Sequence, residues 1–301
     1  MRKRLVYSAA ALLGTGLCLA AQQPSSAPAA PSGAATTSNS RSVSIQEDVP
    51  YAQVNGQPLL LDAYRPAGQA ARPRPAVVLI HGGGWTRFDK SSMRSMAQLL
   101  ARSGFVAFSV DYRLLRGTEN RWPAQLDDVQ RAVRWVRANA ATYEVNPDRI
   151  GAFGHSAGGQ LAALLGMEQT RDNSDPALAR YSSRVQAVVD VSGPTDFTHE
   201  RDPDEDAFLA NLFGVEYSKD PAIWREASPV FEVSKVSAPF LIVHGSRDDQ
   251  VPLAQSQELL ERLQQAGVPA ALVTVDDGHT FHAPDAECAW PLRPSDSSTA
   301  I

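Results

Sequence analysis

The sequence predicts an α/β fold, with a mainly parallel, twisted sheet and helices on both of its faces. Three observations predict it. Short unbroken apolar runs recur along the chain, amphipathic helical stretches alternate with them, and one Asn-Gly turn stands ahead of the series. Residues that are apolar in succession suit strands buried on both faces of a parallel sheet.

The elements follow in order. Residues 51–64 hold Asn55-Gly56 between two strand-like segments. Both residues tolerate positive φ, so this stretch predicts a hairpin that adds an antiparallel edge. The buried-strand candidates are residues 76–80, 105–110, 150–153, 187–191, 240–243 and 271–275. Residues 93–103 form a helix that stops at Gly104. In residues 124–139, Leu126, Val129, Val133 and Val136 share one helical face, and Asp127, Asp128, Arg131, Arg134 and Arg137 are expected largely elsewhere. Residues 253–265 form a helix that stops at Gly267 and Pro269. Residues 194–230 leave this rhythm and are expected to form a small cap. Most of its large apolar residues (Phe197, Phe208, Leu212, Phe213, Trp224) are expected to hold that cap on the body. The run from His199 to Asp206 reads as a solvated face, a poor surface for a lipid droplet.

The N-terminus stands apart. Arg2, Lys3 and Arg4 precede an uncharged, mostly apolar run over residues 5–19, with Ala20 and Ala21 after it. This is the pattern of a secretory signal peptide over residues 1–20, with an apolar run too short to favour a spanning helix. Residues 21–40 are dominated by Ser, Ala, Pro, Thr and Gln and are expected to be a disordered linker ahead of a folded domain at 41–301. The net charge of −5 becomes −8 once the three N-terminal positive charges are removed. An acidic mature chain has no electrostatic reason to bind nucleic acid or anionic membranes. The location expected is secreted or periplasmic. Cleavage would leave Cys288 alone, unable to form an internal disulfide.

The chemistry centres on Gly154-His155-Ser156-Ala157-Gly158, a G-x-S-x-G between a strand candidate and an Ala/Leu-rich helical stretch. This is the context of a nucleophile elbow, in which a serine sits on a sharp strand-to-helix turn. A serine hydroxyl needs a base to remove its proton. His279, in a Gly-His turn after the last strand candidate, fits that role; His282 is the positional rival. The two histidines lack a third ligand at metal spacing, so no metal and no cofactor is expected. The acid should follow residues 240–243, where Asp248 and Asp249 are not separated by spacing. His81-Gly82-Gly83-Gly84-Trp85 follows residues 76–80. Its glycines let backbone N–H groups approach a substrate oxyanion together with the N–H of Ala157.

With these motifs in place the sequence resembles the α/β-hydrolase superfamily. More narrowly, it is similar to exported esterases of the feruloyl- and acetyl-xylan-esterase type (BD-FAE-like), over about residues 45–282. Further matching stretches are residues 111–114, 123–129, 146–150, 193–197 and 244–252. The resemblance implies an α/β-hydrolase fold, Asp248 as acid, His279 as base, and Gly83, Gly84 and Ala157 as oxyanion donors. It leaves His81, His155 and His244 as structural or pocket-wall residues and Asp249 as a capping or solvated one. Similar chains continue into a C-terminal helix. Here Pro284, Pro291 and Pro294 argue against a long one.

The expected activity is serine-dependent hydrolysis of small soluble carboxylic esters, acetyl or feruloyl esters of carbohydrate among them, through an acyl-enzyme. A small-amide hydrolase of the aryl-formamidase or peptidase type is the alternative within enzymes. An inactive binding module on the same fold is the alternative outside them. Such modules typically lose the nucleophile or base, and here Ser156, Asp248 and His279 are all present.

Overall fold

The computed structural model describes residues 42–167, 175–199 and 202–280. The signal peptide and linker read in residues 1–40, His282, Cys288 and the proline-bearing tail lie outside the described residues. The hairpin forms where Asn-Gly predicts it. β1 (Val43–Val54) and β2 (Gln57–Pro66) pair antiparallel across Asn55 and Gly56, with φ of 51° and 79°. β1 begins well ahead of residue 51, because its first half is exposed and carries no apolar run.

The strand candidates become β3 (Arg74–Ile80), β4 (Val106–Val110), β5 (Val145–His155), β6 (Ala187–Val191), β7 (Phe240–Gly245) and β8 (Ala270–Val275). These six run parallel, β2 joins β4 antiparallel, and the order across the sheet is β1-β2-β4-β3-β5-β6-β7-β8. Alternate residues of β3 enter opposite cores. Leu79 joins Met93, Ala97 and Leu100 beneath α1 (Arg94–Arg102), whereas Val78 and Ile80 join the larger core under α2 (Ala124–Ala138) and α3 (Ala157–Leu165). A strand covered on both faces has no polar side to show, which is why the segments of β3 to β7 read as apolar runs.

Between β6 and β7 the chain makes three short helices, α4 (Pro203–Phe213), α5 (Pro221–Glu226) and α6 (Pro229–Glu232). Phe213 packs edge-on against Phe197, Trp122 and Trp224, and Trp224 is fully buried. This aromatic cluster seats the insertion, while Phe208 stays partly exposed. α7 (Leu253–Gln265) follows β7 and buries Leu259 and Leu263. Among the described residues no helix is long and apolar enough to cross a membrane.

One expectation is corrected: residues 271–275, read as a buried strand, form the largely exposed β8, because only Ala270 and Leu272 of this last strand pack against the core while Val273 and Val275 are exposed. Off the apolar face of α2, Asp128, Arg131 and Arg134 are all buried. α2 packs against β1, β3, β5 and α3, so its flanks are covered as well as its apolar face. Asp128 and Arg131 persist there because they are paired. Asp128 accepts from the Arg113 backbone N–H at 2.9 Å, from Arg113 Nε and Nη2 at 2.7 and 2.8 Å, and from Arg131 Nη1 at 3.0 Å. Removing one member of such a group strands the others without a counter-charge. Asp128→Ala is expected to lose about 3–5 kcal/mol of unfolding free energy in a denaturant titration. A loss below about 1 kcal/mol would show that solvent compensates both arginines.

Candidate active site

β3 lies between β4 and β5, so the chain winds outward in both directions from it, and a crevice opens beyond the carboxyl ends of β3 and β5. Ile80 pairs with Gly154 at those ends. The glycine-rich loop after β3 and the serine turn after β5 are therefore side by side. A Cβ placed on Gly82 would lie 2.9 Å from the His155 carbonyl oxygen and 3.1 Å from Ser156 Cβ.

Ser156 occupies the turn between β5 and α3 with φ 56° and ψ −125°. A non-glycine residue there is strained and persists only where its surroundings dictate the conformation. Here they do. Ser156 N–H donates to the Val191 carbonyl at 2.8 Å, and the Ser156 carbonyl accepts from Gly159 N–H at 2.7 Å. Gly154 and Gly158 make the turn possible: a Cβ on the first would strike the Gly158 carbonyl, and one on the second the Ile80 and His81 carbonyls.

The loops after β7 and β8 supply the remaining groups. His279 Nε2 lies 2.8 Å from Ser156 Oγ, and His279 Nδ1 lies 2.8 Å from Asp248 Oδ2. A carboxylate only accepts, so Nδ1 carries the proton and Nε2 is left to accept from the serine hydroxyl. The Asp248 side chain is fully buried, and its Oδ1 accepts from the Gln250 and Val251 backbone N–H groups at 2.9 Å. Burial pushes this carboxyl up. The Val251 N–H, the His279 imidazole and the Gln250 N–H outweigh it, and the group is held below its usual range. Asp249 is exposed, so the structure separates the two aspartates that spacing left open.

Gly83 and Gly84 adopt φ of 104° and 58°, and the Gly83 carbonyl accepts from Thr86 and Arg87 N–H at 3.1 Å. Ala157 is the first residue of α3, where a helix leaves its N–H groups without an internal acceptor. Trp85 ties this loop down: its indole N–H donates to Gln160 Oε1 at 3.1 Å, and Gln160 Nε2 donates to the Ala227 carbonyl at 2.8 Å. Gln160 lies in the Gly-rich start of α3 and carries no sequence signal of this bridge.

Two histidines read as structural touch the relay. His155 Nε2 donates to the His279 backbone carbonyl at 2.9 Å. His244 Nε2 lies 3.2 Å from Asp248 Oδ2. Burial lowers the pKa of both against the raising effect of these partners. Elsewhere, Asp196, His199 and Glu258 bring ligand-type atoms within 4.8 Å of one another. The half-exposed His199 Nε2 hydrogen-bonds Glu258 Oε2 and lies 3.2 Å from Asp196 Oδ2, contacts that account for the cluster as an ion-pair group.

A serine on a strand-to-helix turn, at the switch point of a mainly parallel sheet and bonded to a histidine and aspartate from the last two strand loops, defines an α/β-hydrolase. The chain belongs, within that class, to the BD-FAE family, whose model matches residues 61–263. It is similar to esterase LipC of Mycobacterium tuberculosis, 32% identical over 211 residues, covering 68% of this chain and 52% of LipC. The chain thus spans about half the length of this relative. Among solved structures it resembles a truncated carbohydrate esterase from gut microbiota (TM-score 0.69, 29% identity, 81% of this chain and 91% of that one). It also resembles a thermophilic esterase of Thermogutta terrifontis with butyrate bound (TM-score 0.66, 27% identity, 81% and 86%), which is also known in a form phosphorylated by paraoxon.

Asp190 on β6 lies beneath the serine turn, fully buried. Its Oδ1 accepts from Gly193 N–H at 3.0 Å, and its Oδ2 has no hydrogen-bond partner among the described residues. Burial pushes this carboxyl up to about 7 against the lowering effect of the Gly193 N–H. The unfolded group loses its proton near 3.8 while the folded one keeps it to about 7. Its contribution to folding therefore weakens as pH rises between those values, by roughly 4 kcal/mol at most. Asp190→Asn, an isostere of the protonated acid, is expected to lack that component. The check is denaturant unfolding of both proteins from pH 4 to 8, where parallel stability curves would contradict the assignment.

Proposed function

We propose that the protein hydrolyses small soluble carboxylic esters through an acyl-enzyme on Ser156, with short acyl groups on carbohydrate as the substrate class. The observation that carries this reading is the pair of 2.8 Å contacts that His279 makes with Ser156 Oγ and Asp248 Oδ2. Ser156 Oγ attacks the ester carbonyl carbon as His279 Nε2 takes its proton, and Asp248 stabilises the imidazolium that forms. The N–H groups of Gly83, Gly84 and Ala157 receive the oxyanion. Collapse breaks the ester C–O bond, and the alcohol leaves with the proton from His279. Water then attacks the acyl carbonyl, gives its proton to His279, and frees the acid and the serine hydroxyl.

The substrate class is supported by two similar proteins, a carbohydrate esterase and an esterase that holds butyrate. The reading includes export, on the basic-apolar pattern of residues 1–20. It takes a small-molecule ester as the partner, and neither nucleic acid nor a membrane, on the acidic balance of the chain.

Ser156→Ala is expected to lower kcat on p-nitrophenyl acetate by about four orders of magnitude or more, with an unchanged circular dichroism spectrum. Wild-type protein is expected to take up one phosphoryl group from paraoxon, read by intact mass, and the variant none. Turnover retained by Ser156→Ala would end the mechanism. A panel of acetylated xylan, methyl ferulate, a long-chain nitrophenyl ester and N-formylkynurenine tests the substrate class. The acetyl and feruloyl esters should lead, and turnover of the formamide alone would move the assignment to amide chemistry.

A further inference from the structure

We infer that His244 is a positioning residue, a second imidazole whose Nε2–H faces the same Asp248 oxygen as His279 and so helps hold the acid of the relay in place. The inference rests on the ester-hydrolase reading and deepens it. His244 lies near the end of β7 with its side chain fully buried. Its Nε2 faces two oxygens, the Val251 carbonyl at 2.9 Å and Asp248 Oδ2 at 3.2 Å. Both are acceptors only, so Nε2 carries a proton. Its Nδ1 lies 2.7 Å from Oγ of Ser256, a fully buried residue on α7. A hydroxyl can donate there, and the ring is then neutral with every polar atom satisfied.

The result is one continuous chain of donors. Ser256 O–H gives to His244 Nδ1, and His244 Nε2–H bonds the Val251 carbonyl with Asp248 Oδ2 3.2 Å away. In the other arm, Ser156 O–H gives to His279 Nε2, and His279 Nδ1–H gives to Asp248. Asp248 is the sink of both arms. Its Oδ1 is held by two backbone N–H groups of its own loop and its Oδ2 by two imidazoles. A buried carboxylate without enough donors is costly and free to turn. The backbone pair alone fixes one oxygen; His244 helps fix the other, which is the oxygen His279 uses. Burial lowers the pKa of His244 and keeps it neutral, so it adds a donor without adding a rival positive charge.

The test measures steady-state hydrolysis of p-nitrophenyl acetate by the full chain and its variants. His244→Leu removes the donor and keeps an apolar side chain in the pocket. It is expected to lower kcat by roughly tenfold to hundredfold, the value of one hydrogen bond to a charged group, with KM within about twofold. His244→Gln, whose amide can present N–H near the position of Nε2, is expected to recover most of that loss. In an Asp248→Asn background, His244→Leu should cost little further, because the carboxylate it serves has gone. A kcat for His244→Leu equal to wild type overturns the inference, as does a full additional loss in the Asp248→Asn background. Should His244→Leu fail to fold, Ser256→Ala replaces it. That variant frees Nδ1 of its partner and is expected to lower kcat several-fold at unchanged KM, and no change there would equally overturn the inference. Absence of turnover in wild-type protein would be a failure of the ester-hydrolase reading, whereas turnover that depends on Ser156 but not on His244 would be a failure of this one.

Discussion

The site depends on one backbone conformation, the left-handed turn at Ser156. A strand that enters a helix directly would point its last side chain into the sheet or the helix flank. The turn at φ 56° instead lifts Oγ clear of both. Such a conformation costs about 1–3 kcal/mol at a non-glycine residue. It is held by packing that admits nothing else: bare backbone at Gly154 and Gly158, and a hydrogen bond from Ser156 N–H to the next strand. The strain is thus held by close backbone packing, where any side chain on Gly154 or Gly158 would meet carbonyl oxygens.

From that turn the rest of the geometry follows the sheet. Because β3 and β5 are neighbours, the loop holding Gly83 and Gly84 arrives beside Ser156 without any long excursion of the chain. Because β7 and β8 lie further along the same edge, their loops reach back with Asp248 and His279. The insertion between β6 and β7 is fastened to the same centre by Gln160, which takes a bond from Trp85 and gives one to Ala227. A single side chain therefore links the glycine-rich loop, the serine-bearing helix and the helical insertion.

What the sequence disclosed and what it withheld divide along a physical line. Strands buried on both faces announce themselves as apolar runs, and β3 to β7 were legible for that reason; β8 shows the same kind of run although Val273 and Val275 are exposed. The first half of β1, exposed and polar, was not. α2 was legible as a helix, but its buried charges were not, because periodicity describes one helix and cannot tell that the hairpin covers its flank. The glycines around Ser156 and the Gly-His turn at His279 are local patterns set by backbone geometry, so these candidates could be named from residues alone. Spacing could not choose between Asp248 and Asp249, because the choice depends on where two neighbouring side chains point; the resemblance favours Asp248, and the fold sets its carboxylate against His279. The contact of His155 with His279 is made across loops distant in the sequence, and that of His244 with Asp248, four residues on, depends on how the loop after β7 folds back.

These hidden contacts explain how four imidazoles can occupy one region without competing. His81 and His244 are buried and His155 is half-buried, and burial lowers the pKa of each, His81 to about 4. They stay neutral near neutral pH and act as fixed donors and packing groups: His81 stacks on Tyr112, His155 holds a backbone carbonyl, and His244 holds a carboxylate oxygen. Their folding contributions share one sign. Each is present above the ordinary histidine value and is lost as pH falls below it, because the unfolded ring takes a proton that the folded ring resists. Asp190 works in the opposite sense over an overlapping range, favouring the fold at lower pH. The core under the serine turn is therefore built from groups that prefer to be uncharged. Asp248, kept ionised by hydrogen bonds, is the exception, and its charge lies against the one ring that also touches Ser156. In surroundings of low polarity, a lone fixed charge at that position acts on His279 with little competition, which is the condition a proton-transferring imidazole requires.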